Sequence, residues 1–133
     1  MNLFTRNTDY AARALLYMGG RVGQRVSTVD IQRDLKLPRP FMRKILQQLQ
    51  KEGYLVSVKG YNGGFTLAMP PGKIRLIDLM RIFQGDFSLS DCLFQKKLCQ
   101  CVAACPLRRE LKAAEKMLVD RLKGVTLADL MRP

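Results

Sequence analysis

Four thiols crowd one short stretch of this chain. Cys92, Cys99, Cys101 and Cys105 all lie within "CLFQKKLCQCVAAC", and the other 119 of the 133 residues contain no cysteine. The spacing C-x6-C-x-C-x3-C lacks the paired C-x2-C units of zinc ribbons and knuckles. Soft sulfur donors packed this closely in an irregular segment suit an iron–sulfur cluster. Lys96 and Lys97, between the first two cysteines, supply positive charge that offsets a thiolate-rich site. The same lysines make the segment a poor piece of apolar core, where buried cysteines are usually dispersed.

The surroundings of the thiols narrow their use. The N-terminus "MNLFTRNTDYAAR" has no apolar signal region, and no stretch approaches the ~20 apolar residues of a membrane span. A cytoplasmic location follows as the expectation, and there structural disulfides are rare. With 23 Lys and Arg against 11 Asp and Glu, the net charge is +12. Such an excess points to a polyanionic partner, double-stranded DNA ahead of an anionic membrane surface. Enzyme chemistry has little to work with. The chain holds no histidine and no Gly-rich phosphate loop, and no pair of carboxylates sits where a cleft is expected.

The elements that position these residues are legible from spacing. Residues 8–19 read as a helix capped by Thr8, with Tyr10, Ala11, Ala14, Leu15 and Met18 at helical intervals. Ser27 and Asp30 form a capping box for a second helix, whose apolar positions are Val29, Ile31 and Leu35. Pro38 and Pro40 open a third, with Phe41, Ile45, Leu46 and Leu49 as its apolar stripe and Gly53 as its stop. Val56, Val58 and Leu67 flank the turn-rich "GYNGG" in a hairpin. Helix, turn, basic helix and hairpin in that order make a winged helix. The fold class is therefore mainly α with a small β wing, followed by a long C-terminal helix.

That helix spans Leu107–Lys123, and its narrow stripe of Leu107, Leu111, Ala114, Leu118 and Leu122 suits a coiled-coil-like homodimer seam. Three segments result. Residues 1–84 form a winged helix-turn-helix DNA-binding domain, 85–106 a cysteine-rich cluster-binding loop, and 107–133 a dimerisation helix with a C-terminal turn. The residues expected at DNA are Arg39, Arg43, Lys44 and Gln47 on the recognition helix. Lys59, Tyr61 and Asn62 follow at the wing tip, with Ser27 and Thr28 at a helix start.

"TDYAARALLYM", "GYLVSVKGYNGGFTLA", "DCLFQKKLCQCVAACPL" and "LKGVTLADL" together resemble the Rrf-two (Rrf2) family of winged-helix regulators, of the IscR and NsrR type, over essentially the whole chain. The resemblance implies a homodimeric transcription factor, a repressor whose operator affinity depends on a 2Fe-2S or 4Fe-4S cluster sensing nitric oxide, redox state or iron–sulfur status. It implies three cysteine ligands, best matched by Cys92, Cys99 and Cys105, with Cys101 additional and the set Cys92–Cys101–Cys105 also open. The IscR branch takes a histidine three residues past the last cysteine; here that residue is Arg108, which has no lone pair to donate. The NsrR branch takes the aspartate of a Thr-Asp-Tyr motif from the other subunit. Thr8–Asp9–Tyr10 matches that motif, so Asp9 is the favoured fourth ligand and Cys101 its rival. Two other uses of the same residues stand beside this one. One is a cluster-free repressor switched by thiol oxidation, the other a small iron–sulfur electron-transfer or trafficking protein.

Overall fold

The first helix, α1 (Arg6–Gly19), starts earlier than its sequence suggests. Thr5 caps it, accepting a hydrogen bond from the Thr8 backbone N–H, and Thr8 itself is buried inside the first turn. The expected cap and the true cap differ because both are threonines three residues apart, and only Thr5 has extended backbone. The structure is a computed structural model and describes residues 3–60, 63–89 and 105–132.

Next come α2 (Thr28–Leu35) and α3 (Arg39–Lys51). The Ser27–Asp30 capping box forms in full: the Ser27 hydroxyl accepts from the Asp30 N–H, and the Asp30 carboxylate from the Ser27 N–H. Lys36 ends α2 in the left-handed region at φ 53°. In α3, Pro38 is the N-cap and Pro40 lies in the first turn, where no N–H is needed. Gly53, at φ +86°, closes α3 in a Schellman turn, with Gly53 N–H to Gln50 O and Tyr54 N–H to Leu49 O.

Two expected core residues lie outside. Val29 and Phe41 are exposed, whereas Ile31 and Met42 are buried. In α2, Val29 stands about 200° round the helix from Ile31, so only one can face inward. In α3, Met42, Ile45, Leu46 and Leu49 form the buried stripe, which turns Phe41 away from the centre.

Strands β1 (Leu55–Val58) and β2 (Gly64–Leu67) pair antiparallel, Leu55 opposite Leu67 and Val58 opposite Gly64. Of the pair at the start of β1, Leu55 is buried and Val56 exposed, as alternation requires. A single bridge, Val26 to Phe65, joins the hairpin to the residue before the α2 cap through two hydrogen bonds of 2.9 and 2.8 Å. The wing is thereby fixed to the helix-turn-helix unit.

A short 3-10 turn (Pro71–Lys73) leads to α4 (Leu76–Gln84), which packs on α1. After residues 90–104, α5 (Pro106–Lys123) and α6 (Leu127–Leu130) complete the chain. The chain end returns to the first unit. Leu127 is fully buried in the common core, and Arg75 bridges to Thr126. Each buried Leu or Ile of that core, such as Leu15, Ile31 or Leu127, is worth about 1.5–3 kcal/mol against exposure. α5 differs from every other long helix, since it buries no residue at all. Its expected stripe is uncovered: Leu107 is exposed, Leu111, Leu118 and Leu122 are half-buried, and the neighbouring Met117 is 74% exposed. Among the described residues no helix is long and apolar enough to cross a membrane.

Candidate functional site

The exposed side of α3 is basic and amidic. Arg39, Arg43 and Gln47 follow one another at intervals of four and are all exposed, so they form one row opposite the buried stripe. Gln50, which the sequence reading passed over, continues the row at the next interval of three. The step pattern alone would have found it. Lys44 is exposed but off that row. It lines an open groove with Asn7, Phe41, Ile45, Gln48, Ile82 and Phe83, between α3, the start of α1 and the end of α4. A helix with this outer row can place guanidinium groups against guanine edges or phosphates, and amides against adenine.

Ser27 and Thr28 stand at the start of α2, partly exposed. The Ser27 hydroxyl oxygen is engaged as the cap acceptor from the Asp30 N–H. Hydrogen bonding from the Ser27 backbone N–H, and then from its side chain, holds the Asp30 carboxyl below its usual range. That cap fixes the first turn of α2. From α1, the Tyr17 hydroxyl donates to the Asp34 carboxylate, and the Arg21 guanidinium lies 3.8 Å over the Tyr17 ring. These contacts tie α1 to the back of α2, so α2 and α3 present their outer faces from a fixed platform. Lys59 is exposed where the wing leaves β1. Tyr61 and Asn62 lie outside the described residues.

Of the expected cluster ligands, Cys92, Cys99 and Cys101 also lie outside the described residues. Cys105 is described, as the N-cap of α5; its thiol is free and partly exposed. A helix N-terminus favours negative charge, as a metal-bound thiolate carries. Both described ends of the cysteine segment meet α5. Cys105 is its N-cap residue, and the Leu89 N–H donates to the Glu115 carboxylate on its third turn at 3.2 Å.

Asp9 lies in the first turn of α1, with its carboxylate partly exposed. It accepts from Arg13 Nε at 2.9 Å, one turn on. An exposed pair of this kind is worth about 0–1 kcal/mol, so Asp9 can exchange it for another partner at little cost. Thiols with one accessible carboxylate, in a chain without histidine, fit an iron–sulfur group better than a hard oxygen-seeking cation.

The sequence reading also missed Gln84. Its side-chain oxygen accepts from the Thr5 N–H at 3.1 Å and the Thr8 hydroxyl at 2.8 Å, and its amide nitrogen donates to the Leu3 carbonyl at 3.1 Å. Among the described residues, Thr8 is the only buried polar side chain. A polar residue ending an amphipathic helix carries no distinctive signal, so the sequence offered nothing to find it by.

Comparison with known proteins agrees with this architecture. The family model for Rrf2, described as an iron-dependent transcriptional regulator, matches residues 4–133. An Aquifex aeolicus protein named as an HTH-type transcriptional regulator is 32% identical over 131 residues, covering 97% of this chain and 91% of its own. The structure of CymR, titled the global cysteine regulator of B. subtilis, superposes with a TM-score of 0.82 at 22% identity, over 98% of this chain and 97% of that one. T. potens IscR superposes with a TM-score of 0.75 at 23% identity, over 96% and 84%. The fold is thus a winged helix with a long C-terminal helix, and the chain is not an enzyme. It belongs to the Rrf2 family of transcriptional regulators.

Proposed function

We propose that the chain is a cytoplasmic, homodimeric repressor whose operator affinity is set by an iron–sulfur cluster. In this reading Cys92, Cys99 and Cys105 hold the cluster, with Asp9 of the partner subunit as fourth ligand, as in the NsrR branch. The observation that carries it is the attachment of the cysteine segment at both ends to α5, the helix whose apolar stripe is left uncovered. A helix with such a stripe has a natural cover in a second copy of itself. When bound, the cluster would supply a centre that nitric oxide, oxygen or iron shortage can destroy.

The chain's own residues do the rest. Arg39, Arg43 and Gln47 enter the major groove, Lys44 flanks them, and Ser27, Thr28 and Lys59 contact phosphates, with Tyr61 and Asn62 at the wing tip. Asp9 and α3 belong to one rigid unit, because α1 packs directly on α3. Holding Asp9 therefore fixes the recognition helix as well. Regulation requires that DNA bind one spacing of the two recognition helices better than the other.

Anaerobic purification followed by iron and sulfide analysis and Mössbauer spectroscopy tests the ligand set. Cys101→Ala is expected to keep its cluster with an unchanged spectrum, and Asp9→Ala to show an altered iron site. The reverse pattern would make Cys101 the ligand. The fourth thiol gives one specific footing to a second reading, a repressor switched by thiol oxidation. A colourless protein with reversibly oxidised thiols would establish that reading instead.

A further inference from the structure

We propose that Gln84 is a positioning residue for the Asp9 carboxylate, and that it acts through the cap of α1. This rests on the reading of Asp9 as a cluster ligand. Gln84 is the last residue of α4, immediately before the segment that carries the cysteines. Its side chain reaches back across nearly eighty residues of sequence to the start of α1.

The hydrogen bonds there have a determined order. The Thr8 hydroxyl gives its one hydrogen to the Gln84 oxygen, at 2.8 Å. In the Thr5–Thr8 hydroxyl pair, 2.9 Å apart, Thr5 is therefore the donor. The Thr5 hydroxyl oxygen accepts from the Thr8 N–H, and the Thr5 carbonyl accepts from the Asp9 N–H at 3.0 Å. Two donors converge on the Gln84 oxygen, while its nitrogen faces the Leu3 carbonyl, so the amide fits in one orientation only. Asp9 thus hangs from a cap that Gln84 holds at two points.

A simple packing role would need none of this. Thr8 is fully buried, and a buried hydroxyl costs stability unless it is satisfied. Valine or alanine at Thr8 with leucine at Gln84 would give an apolar contact of similar shape. What the polar arrangement adds is direction. It fixes the angle of the first turn of α1, and with it the direction in which Asp9 leaves the helix. Because Gln84 also closes α4, that direction is referenced to the point where the protomer's own cysteine segment begins. In a dimer that takes Asp9 from the other subunit, one Gln84 would register both ends of this exchange.

The test is a double-mutant cycle on the full chain, comparing wild type, Gln84→Leu, Asp9→Ala and the double variant. Each is loaded anaerobically with iron and sulfide. The half-life of the visible cluster absorbance is then measured under a fixed low oxygen concentration, with Mössbauer spectra taken before exposure. Losing two or three hydrogen bonds that act through Asp9 should shorten the half-life roughly three- to tenfold in the wild-type background. In the Asp9→Ala background the same change should act less than twofold. Gln84→Leu should also perturb the spectrum of the iron site that Asp9→Ala alters. Equal effects in both backgrounds would make Gln84 merely structural and overturn this inference alone. A half-life and spectrum unchanged by Asp9→Ala would remove the ligand reading, and this inference with it. Should Gln84→Leu fold poorly by thermal unfolding of the cluster-free form, Thr8→Val removes both hydrogen bonds of the Thr8 hydroxyl, to Gln84 and from Thr5, at constant shape. It is expected to show the same dependence on Asp9 at roughly two- to threefold.

Discussion

Replacing Gly64 by alanine would place a methyl carbon 2.6 Å from the Val26 carbonyl oxygen, 2.9 Å from the Val26 carbonyl carbon and 3.2 Å from the Ser27 nitrogen. All three are backbone atoms, so no side chain can swing aside. An ordinary C···O contact is about 3.3 Å or more, so β2 and Val26 would have to part by about 0.7 Å. The two bridge bonds, now 2.9 and 2.8 Å, would then stretch beyond the working range for N–H···O. Each is worth about 0.5–1.5 kcal/mol net. Val26 is 2% exposed, and opening its surroundings adds part of a valine's burial, about 1 kcal/mol. The expected loss is about 2–4 kcal/mol, a large share of the ~5–15 kcal/mol that holds a domain together. Urea unfolding of the cluster-free protein measures it. Gly53→Ala is the control: nothing lies within 4 Å of the added carbon, and its φ of +86° costs only about 1–2 kcal/mol of backbone strain. A Gly64→Ala loss below about 0.5 kcal/mol would refute the claim that close approach at Val26 locks the wing to the helix-turn-helix unit.

Arg43→Ala should leave unfolding unchanged and weaken DNA binding. If Arg43 contacts a phosphate, the slope of log affinity against log salt falls by about one unit; if it contacts a guanine edge, discrimination at one base pair falls by about 1–3 kcal/mol. Lys36 is the one described non-glycine residue with positive φ, and Lys36→Gly should stabilise the protein by up to about 1 kcal/mol in the same urea assay. On α5, Met117→Glu together with Leu118→Glu should convert the proposed homodimer to a monomer in sedimentation equilibrium. The helical signal should be kept, because neither residue is buried within the described chain.

The order of elements was readable because each boundary carries its own chemistry. The Ser27–Asp30 box, the Pro38–Pro40 start and the Gly53 stop all form as their residue types require. Errors arose where two residues of one type competed or where direction decided. Thr5 and Thr8 are equivalent on paper, and only the backbone at Thr5 settles the cap. Val29 and Phe41 are apolar yet exposed, since apolar character does not say which side of a short helix meets the core. The row Arg39–Arg43–Gln47 was legible from its interval of four, whereas Lys44 turns out to flank a groove. The Gln84 clamp joins positions 76 to 81 residues apart, and no local pattern encodes such a contact. The return of Leu127 to the first core was hidden for the same reason, as a leucine in a short terminal helix can pack on any neighbour.

Cluster chemistry and DNA recognition are joined in this account by one physical link, the unit of α1 and α3 that carries both Asp9 and the recognition row. The most direct test of that link is operator affinity measured anaerobically at one salt concentration, for the cluster-loaded and the cluster-free protein. The loaded form is expected to bind at least about tenfold more tightly, a coupling of about 1.4 kcal/mol or more. Asp9→Ala is expected to narrow that gap even with iron and sulfide bound. Equal affinity for the two forms would contradict the switch while leaving the winged helix and its DNA-binding row intact.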